Sequence, residues 1–165
     1  MDIINELIQK MILYYTGDPK RIQHFLKVHS FARLIGESEG LNSRTQLILE
    51  AAAAVHDIGI KPAEELYGRC GGKLQEKLGP APARKMLEEI GFEAEITDRV
   101  CFLVAHHHTY TDVQGADYQI LIEADFLVNL YEDGADLDAV KAALKSIFRT
   151  HTGTRICREM FLGAE

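Results

Sequence analysis

The run Leu47-Ile48-Leu49-Glu50-Ala51-Ala52-Ala53-Ala54-Val55 is apolar on nearly every side of a helix, and it ends in His56-Asp57. A helix that is apolar all round belongs in the middle of a domain rather than on its surface. The other elements must therefore pack around this one, and an imidazole and a carboxylate at its end inherit rigid surroundings. Ser43 and Gln46 have the spacing of a capping box, which predicts the start of the helix.

Other segments repeat the helical period. Ile3, Ile4, Leu7, Ile8, Met11 and Ile12 form an i, i+3, i+4 stripe that predicts a first helix ending near Gly17. Asp18-Pro19 offers a cap followed by proline at the first helical position, and Ile22, Phe25, Val28, Ala32 and Ile35 carry a second helix to Gly40. From Gly59 to Pro82 lies the densest set of helix breakers, which predicts a long loop with room for one short helical turn. Loops of that length are often lids or binding loops. Helix resumes over Pro82 to Ile90, and from Glu93 a face of Ile96, Val100, Leu103 and Val104 runs into His106-His107-His108. Tyr118 to Tyr131 keeps helical spacing around Asp125, and Leu137 to Phe148 predicts a last helix before a threonine-rich turn and a tail ending at Glu165. No run alternates as a strand does. The expected fold is all-α: one helical bundle of six to seven helices over 1–165, with its core in 19–131 and a C-terminal helix and tail in 137–165.

A chain of 165 residues fits one domain that buries roughly 70% of its unfolded surface. The net charge of -7 repels nucleic-acid polymers, whereas a small phosphorylated substrate stays open because a bound metal supplies local positive charge. Cys70, Cys101 and Cys157 show no CxxC spacing, which predicts reduced thiols and a cytoplasmic location. No apolar run approaches the roughly 20 residues of a membrane span, so no membrane partner is expected.

His24, His56, Asp57 and Asp125 supply the mixture of imidazole nitrogen and carboxylate oxygen that a divalent first-row metal prefers. Neighbouring side chains on a helix diverge by about 100°, so both members of the doublet reach one ion only where the helix ends, as Gly59 suggests. Each residue also has an ordinary reading: His24 as a partly buried histidine bonded to backbone, Asp57 as a solvated helix end, and Asp125 as an acid facing water, against which its apolar neighbours on both sides favour burial with a partner. An acid at a helix C-terminus opposes the helix dipole, which favours a specific role for Asp57. In the histidine triplet, His106 and His107 extend the apolar stripe inward and are candidates for a second metal site or for substrate phosphate. His108 points elsewhere unless the helix unwinds at Thr109. His29 lies about 140° from His24 around the helix and reads as structural. Lys61, Arg69, Lys73 and Arg84 are the candidate phosphate-binding cations.

Taken in order, these motifs resemble the HD superfamily of metal-dependent phosphohydrolases. The likeness rests on His24-x-x-Lys27-Val28, on Ala54-Val55-His56-Asp57-Ile58-Gly59, and on Glu123-Ala124-Asp125-Phe126-Leu127. It implies a bundle of the HD-domain type. It also implies that His24, His56, Asp57 and Asp125 bind a divalent ion (Mn, Fe, Ni, Co, Zn or Mg), one or two per chain. The implied activity is hydrolysis of a phosphate ester or anhydride, with a nucleotide or other small phosphorylated metabolite as substrate. Asp57 and His107 are then the expected catalytic residues, His106 and His107 the candidate second metal site, and Lys61, Arg84 and His108 the substrate contacts. Two departures stand out: Ile60 precedes Lys61 where many members have lysine directly after the motif, and Leu78 precedes Gly79-Pro80 where two-metal members often carry a histidine. Rival readings on the same scaffold are a dinuclear-iron oxygenase and a non-catalytic nucleotide-binding regulatory module. A homo-oligomer is compatible with all of them.

Overall fold

The computed structural model describes residues 1–163, which contain ten α-helices and no strand. In chain order they are α1 (Ile3–Tyr14), α2 (Pro19–Ser38), α3 (Ser43–Val55), α4 (Ile60–Tyr67) and α5 (Gly72–Leu78). Then come α6 (Pro80–Ile90), α7 (Ala94–Val104), α8 (Ala116–Glu132), α9 (Leu137–Ser146) and α10 (His151–Leu162). The all-α expectation holds, and the expected six to seven helices become ten in the described residues.

Most boundaries follow local chemistry. Asp18 accepts from the backbone N–H of Arg21 at 3.2 Å, with Pro19 opening α2. The cap of α3 is Asn42, which accepts from Thr45 N at 2.9 Å, one residue before the expected Ser43. Helix α3 is the centre of the molecule: Ala51 to Val55 are fully buried, and α1, α2, α7 and α8 pack around it.

Two departures account for the extra helices. The segment read as a long loop forms α4 and α5, separated by Gly68 in the left-handed conformation at φ 67°. Gly59 and Gly79 have ordinary negative φ and serve packing instead. A Cβ on Gly59 would lie 2.7 Å from the Gln75 carbonyl oxygen, and one on Gly79 would lie 2.7 Å from Val104 Cγ1. The presumed tail forms α10, whose cap Thr150 accepts from Gly153 N at 2.9 Å and donates to the buried Glu123 of α8 at 2.6 Å. Residues 164–165 of that tail lie outside the described residues. Among those described, no helix is long and apolar enough to cross a membrane, and the three cysteines are free thiols.

Candidate metal centre

His24 projects from α2, His56 caps the C-terminus of α3, Asp57 follows in the turn, and Asp125 comes from α8. The end of α3 lets the adjacent His56 and Asp57 converge, as the doublet required. Two tyrosines at the end of α1 hold this turn: Tyr15 Oη donates to the Asp57 carbonyl at 2.7 Å and Tyr14 Oη to the Ile58 carbonyl at 3.0 Å. Burial, and next the Asp57 charge, push the Tyr15 phenol far above its ordinary pKa, so it stays a donor.

The four side chains meet at one point. His24 Nε2 lies 3.3 Å from His56 Nε2, 3.2 Å from Asp57 Oδ2 and 3.2 Å from Asp125 Oδ1. His56 Nε2 lies 3.3 Å and 3.4 Å from the same two oxygens. The far nitrogens have partners of their own: His24 Nδ1 donates to Glu132 Oε1 at 2.8 Å, and His56 Nδ1 to the Ala53 carbonyl at 2.7 Å. Each partner can only accept, so each Nδ1 carries the proton, and a neutral ring leaves a bare Nε2 lone pair. Two such lone pairs and two carboxylate oxygens then face one another, and only a cation, or protons on the rings, reconciles them.

The acid–base behaviour follows. Burial opposes charge on His24, but the hydrogen bonds it donates to Asp125 and Asp57 win and push its pKa up to about 10. His56 is fully buried, yet the Asp57 charge and the Asp125 hydrogen bond hold it well above the ordinary imidazole value. Asp57 and Asp125 overcome the same burial and sit below the usual carboxylate range, Asp57 chiefly through the His56 charge and Asp125 chiefly through the His24 hydrogen bond.

A divalent ion fits this donor set. Neighbouring ligands with bonds of about 2.0 to 2.2 Å stand roughly 2.8 to 3.6 Å apart, which brackets the separations above. Imidazoles oriented by an Nδ1–H bond to a carboxylate or carbonyl are the usual arrangement around a metal.

A second group of donors adjoins the first and shares Asp57. Asp57 Oδ1 lies 3.5 Å from His107 Nε2, and His108 is the third member of the group. His107 Nδ1 donates to the Val104 carbonyl at 2.7 Å. Burial, then the neighbouring His107, lower the His108 pKa to about 4. The pair brought together is therefore His107 and His108, because the chain turns after α7. His106, expected alongside His107, instead donates from Nδ1 to the Phe102 carbonyl at 2.7 Å and stacks on the Phe102 ring at 4.1 Å.

A cavity of about 370 Å³ opens over the first group, bordered by His24, Asp57, Gln75, His108, Asp125 and Glu132. Its cations are Lys20 and Arg21, the latter paired with Asp18 at 3.2 Å and with Glu64. Lys61 and Arg84 are placed elsewhere. Lys61 donates to the Tyr14 carbonyl at 3.2 Å and lies over the Tyr14 ring, while Arg84 donates to Asp98 at 2.8 Å on the surface. His107 is buried behind the cavity and does not line it.

An all-helical fold with paired imidazole and carboxylate donors at the end of its central helix defines a class of metal-binding helical domain. The sequence profile of the HD domain matches residues 21–145, and the chain belongs to that family. A crystal structure of a predicted HD superfamily hydrolase from an uncultured Thermotogales bacterium is similar, at a TM-score of 0.64 and 23% identity over 96% of this chain and 82% of that one. That likeness shows a shared fold. A search of curated proteins finds no match.

Proposed function

We propose that the chain is a metal-dependent hydrolase of phosphate esters or anhydrides, acting on a nucleotide or other small phosphorylated metabolite. The observation that supports it most is the meeting of His24, His56, Asp57 and Asp125 with both Nδ1 atoms already engaged. The Thermotogales neighbour is itself a predicted hydrolase, in agreement with this reading. A divalent ion bound there would polarise a phosphoryl oxygen and lower the pKa of a water. A second ion in the group of Asp57, His107 and His108 would share the Asp57 carboxylate, which gives His107 a role through that ion rather than through direct contact with substrate.

The chain's own residues do the rest. Lys20 and Arg21, at the cavity wall, face substrate phosphate, with the Arg21 guanidinium exchanging its Asp18 or Glu64 partner for the bidentate contact that suits it. Glu132 fixes the tautomer and direction of His24. The cavity is large enough for a nucleotide-sized ligand, at the lower end of the usual range for such sites. In the reaction a water oxygen forms a bond to phosphorus, the bond to the leaving oxygen breaks, and that oxygen takes a proton.

The test is to load the protein with Mn²⁺ and screen it against phosphomonoesters, nucleotides and dinucleotides. Phosphate or nucleoside monophosphate release that stops with a chelator is expected. Oxygen consumption by two bound irons, or tight nucleotide binding with no turnover, would overturn the proposal.

A further inference from the structure

Gln75 sits on α5 with 8% of its surface exposed, in the middle of a segment whose breakers suggested a loop. Its amide nitrogen donates to the Cys70 carbonyl at 2.7 Å, which fixes the amide and turns Oε1 toward the histidines. Oε1 lies 3.0 Å from His108 Nε2 and 3.4 Å from His107 Nε2. A single hydrogen bond from His108 would satisfy the amide. His107 would still be unmatched: with its Nδ1 proton given to Val104, a neutral ring points a bare Nε2 at Gln75 Oε1 and at Asp57 Oδ1, both acceptors. Buried polar atoms rarely stay so opposed.

On the reading of the two donor groups as metal sites, we propose that Gln75 supplies an oxygen ligand to the second one. Its Oε1 would then complete a set with Asp57 Oδ1, His107 Nε2 and His108 Nε2 around a second cation. The separations of 3.0, 3.4 and 3.5 Å in this group fall in the range of roughly 2.8 to 3.6 Å expected between neighbouring ligands.

The backbone is arranged to deliver this side chain. The Gln75 carbonyl lies 2.7 Å from where a Gly59 Cβ would stand and 2.8 Å from a Gly79 Cβ, so α5 touches the His-Asp turn without intervening side chains. A Cβ on Gly72 would lie 3.0 Å from His108 Cγ, so the start of α5 is pressed against that ring. Beside Gln75, Glu76 accepts from Thr109 Oγ1 at 2.7 Å and from His108 N at 3.3 Å, which pins α5 to the turn carrying the histidines. Gln75 thus reaches the second group from a helix, where the sequence lacks the histidine of two-metal relatives at Leu78.

The charge balance sets the order of binding. The first group has the carboxylates of Asp57 and Asp125, whereas the second has a share of Asp57, two imidazoles and a neutral amide. The second ion is therefore held more weakly and exchanges first. Its amide and carboxylate oxygens suit Mn²⁺ better than softer ions.

The experiment is a Mn²⁺ titration of the full chain by calorimetry and elemental analysis, with electron paramagnetic resonance to detect coupling between ions that share Asp57. Wild type should take two ions in two steps. Gln75→Leu should keep the first ion with unchanged affinity, hold the second at least roughly tenfold more weakly, and lose the coupling. Gln75→Glu should restore the second ion, and it serves as the test if the leucine variant does not fold. A second ion bound equally well by Gln75→Leu, or more weakly by Gln75→Glu than by wild type, overturns the proposal. A wild type that saturates at one ion also overturns it and leaves the first site standing. A protein that takes up no Mn²⁺ brings down both.

Discussion

Two corners of the molecule bury carboxylates, and they do so in opposite ways. Glu123, fully buried on α8, meets only donors: Gln119 Nε2 at 2.7 Å, Thr150 Oγ1 at 2.6 Å, and the backbone N–H groups of Arg149 and Thr150 at 3.1 and 3.0 Å. Asp125, half a turn further along the same helix and also buried, meets the Nε2 atoms of His24 and His56, which in neutral rings can only accept. The Glu123 corner is complete without anything added and fastens α9 and α10 to the bundle. The Asp125 corner needs a positive charge at its centre. Burial of an acid therefore does not mark a site; the character of its partners does.

The largest effect expected from breaking this contrast is at the metal end. His56→Ala or Asp125→Ala should abolish retained metal and lower phosphate release roughly 10³-fold or more. Far-ultraviolet circular dichroism should show the helices intact. Unchanged metal content in both purified variants would dismantle the ligand set. At the other corner, Glu123→Ala strands four donors and should destabilise the fold by about 3 kcal/mol, read by chemical denaturation, while metal stoichiometry stays at the wild-type value. Loss of metal without loss of stability there would reverse the comparison.

A smaller effect separates the corners by pH. In metal-free protein the protonated His24 stabilises the fold fully below its unfolded value of about 6.5, and that contribution disappears as pH rises through about 10. Thermal melts with chelator should therefore show declining stability across this window. Mn²⁺ replaces the protons, so the decline should flatten when it is present; identical profiles with and without the ion would count against the site. A smaller loss is expected for Arg21→Ala, at the cavity wall, which should fall about tenfold in kcat/KM, mainly through KM. Lys61→Ala and Arg84→Ala, both outside the cavity, should stay within about twofold.

Much of this was legible in the sequence because it rests on periodicity and order. The all-apolar face of α3 identified the central helix, and the doublet at its end needed His24 and Asp125 on neighbouring helices. The misread parts have physical causes. Gly59 and Gly79 look like turn formers, but they are points of close backbone approach, and packing of this kind leaves no local signature. The tail seemed irregular because α10 is organised by a long-range partner, Glu123, that no nearby residue announces. The histidine triplet was assigned by extending an ideal helix, whereas α7 ends at Val104 and the turn exchanges His106 for His108. Two contributors did have a signal: Glu132 lies seven residues after Asp125 on α8, and Arg21 three before His24 on α2, each on the same helix face. Gln75 had none, because it reaches the histidines only after α4 and α5 fold back over the His-Asp turn.

The first donor group needs a positive charge at its centre, from ring protons or from a bound ion, and the imidazole nitrogens report directly which supplies it. Long-range ¹H–¹⁵N spectra should show His24 and His56 as imidazolium in metal-free protein near neutral pH. On adding Mg²⁺ or Zn²⁺, both rings should lose the Nε2 proton and keep the proton on Nδ1. Rings that are already neutral without metal, and unmoved when it is added, would show that no positive charge is needed between them.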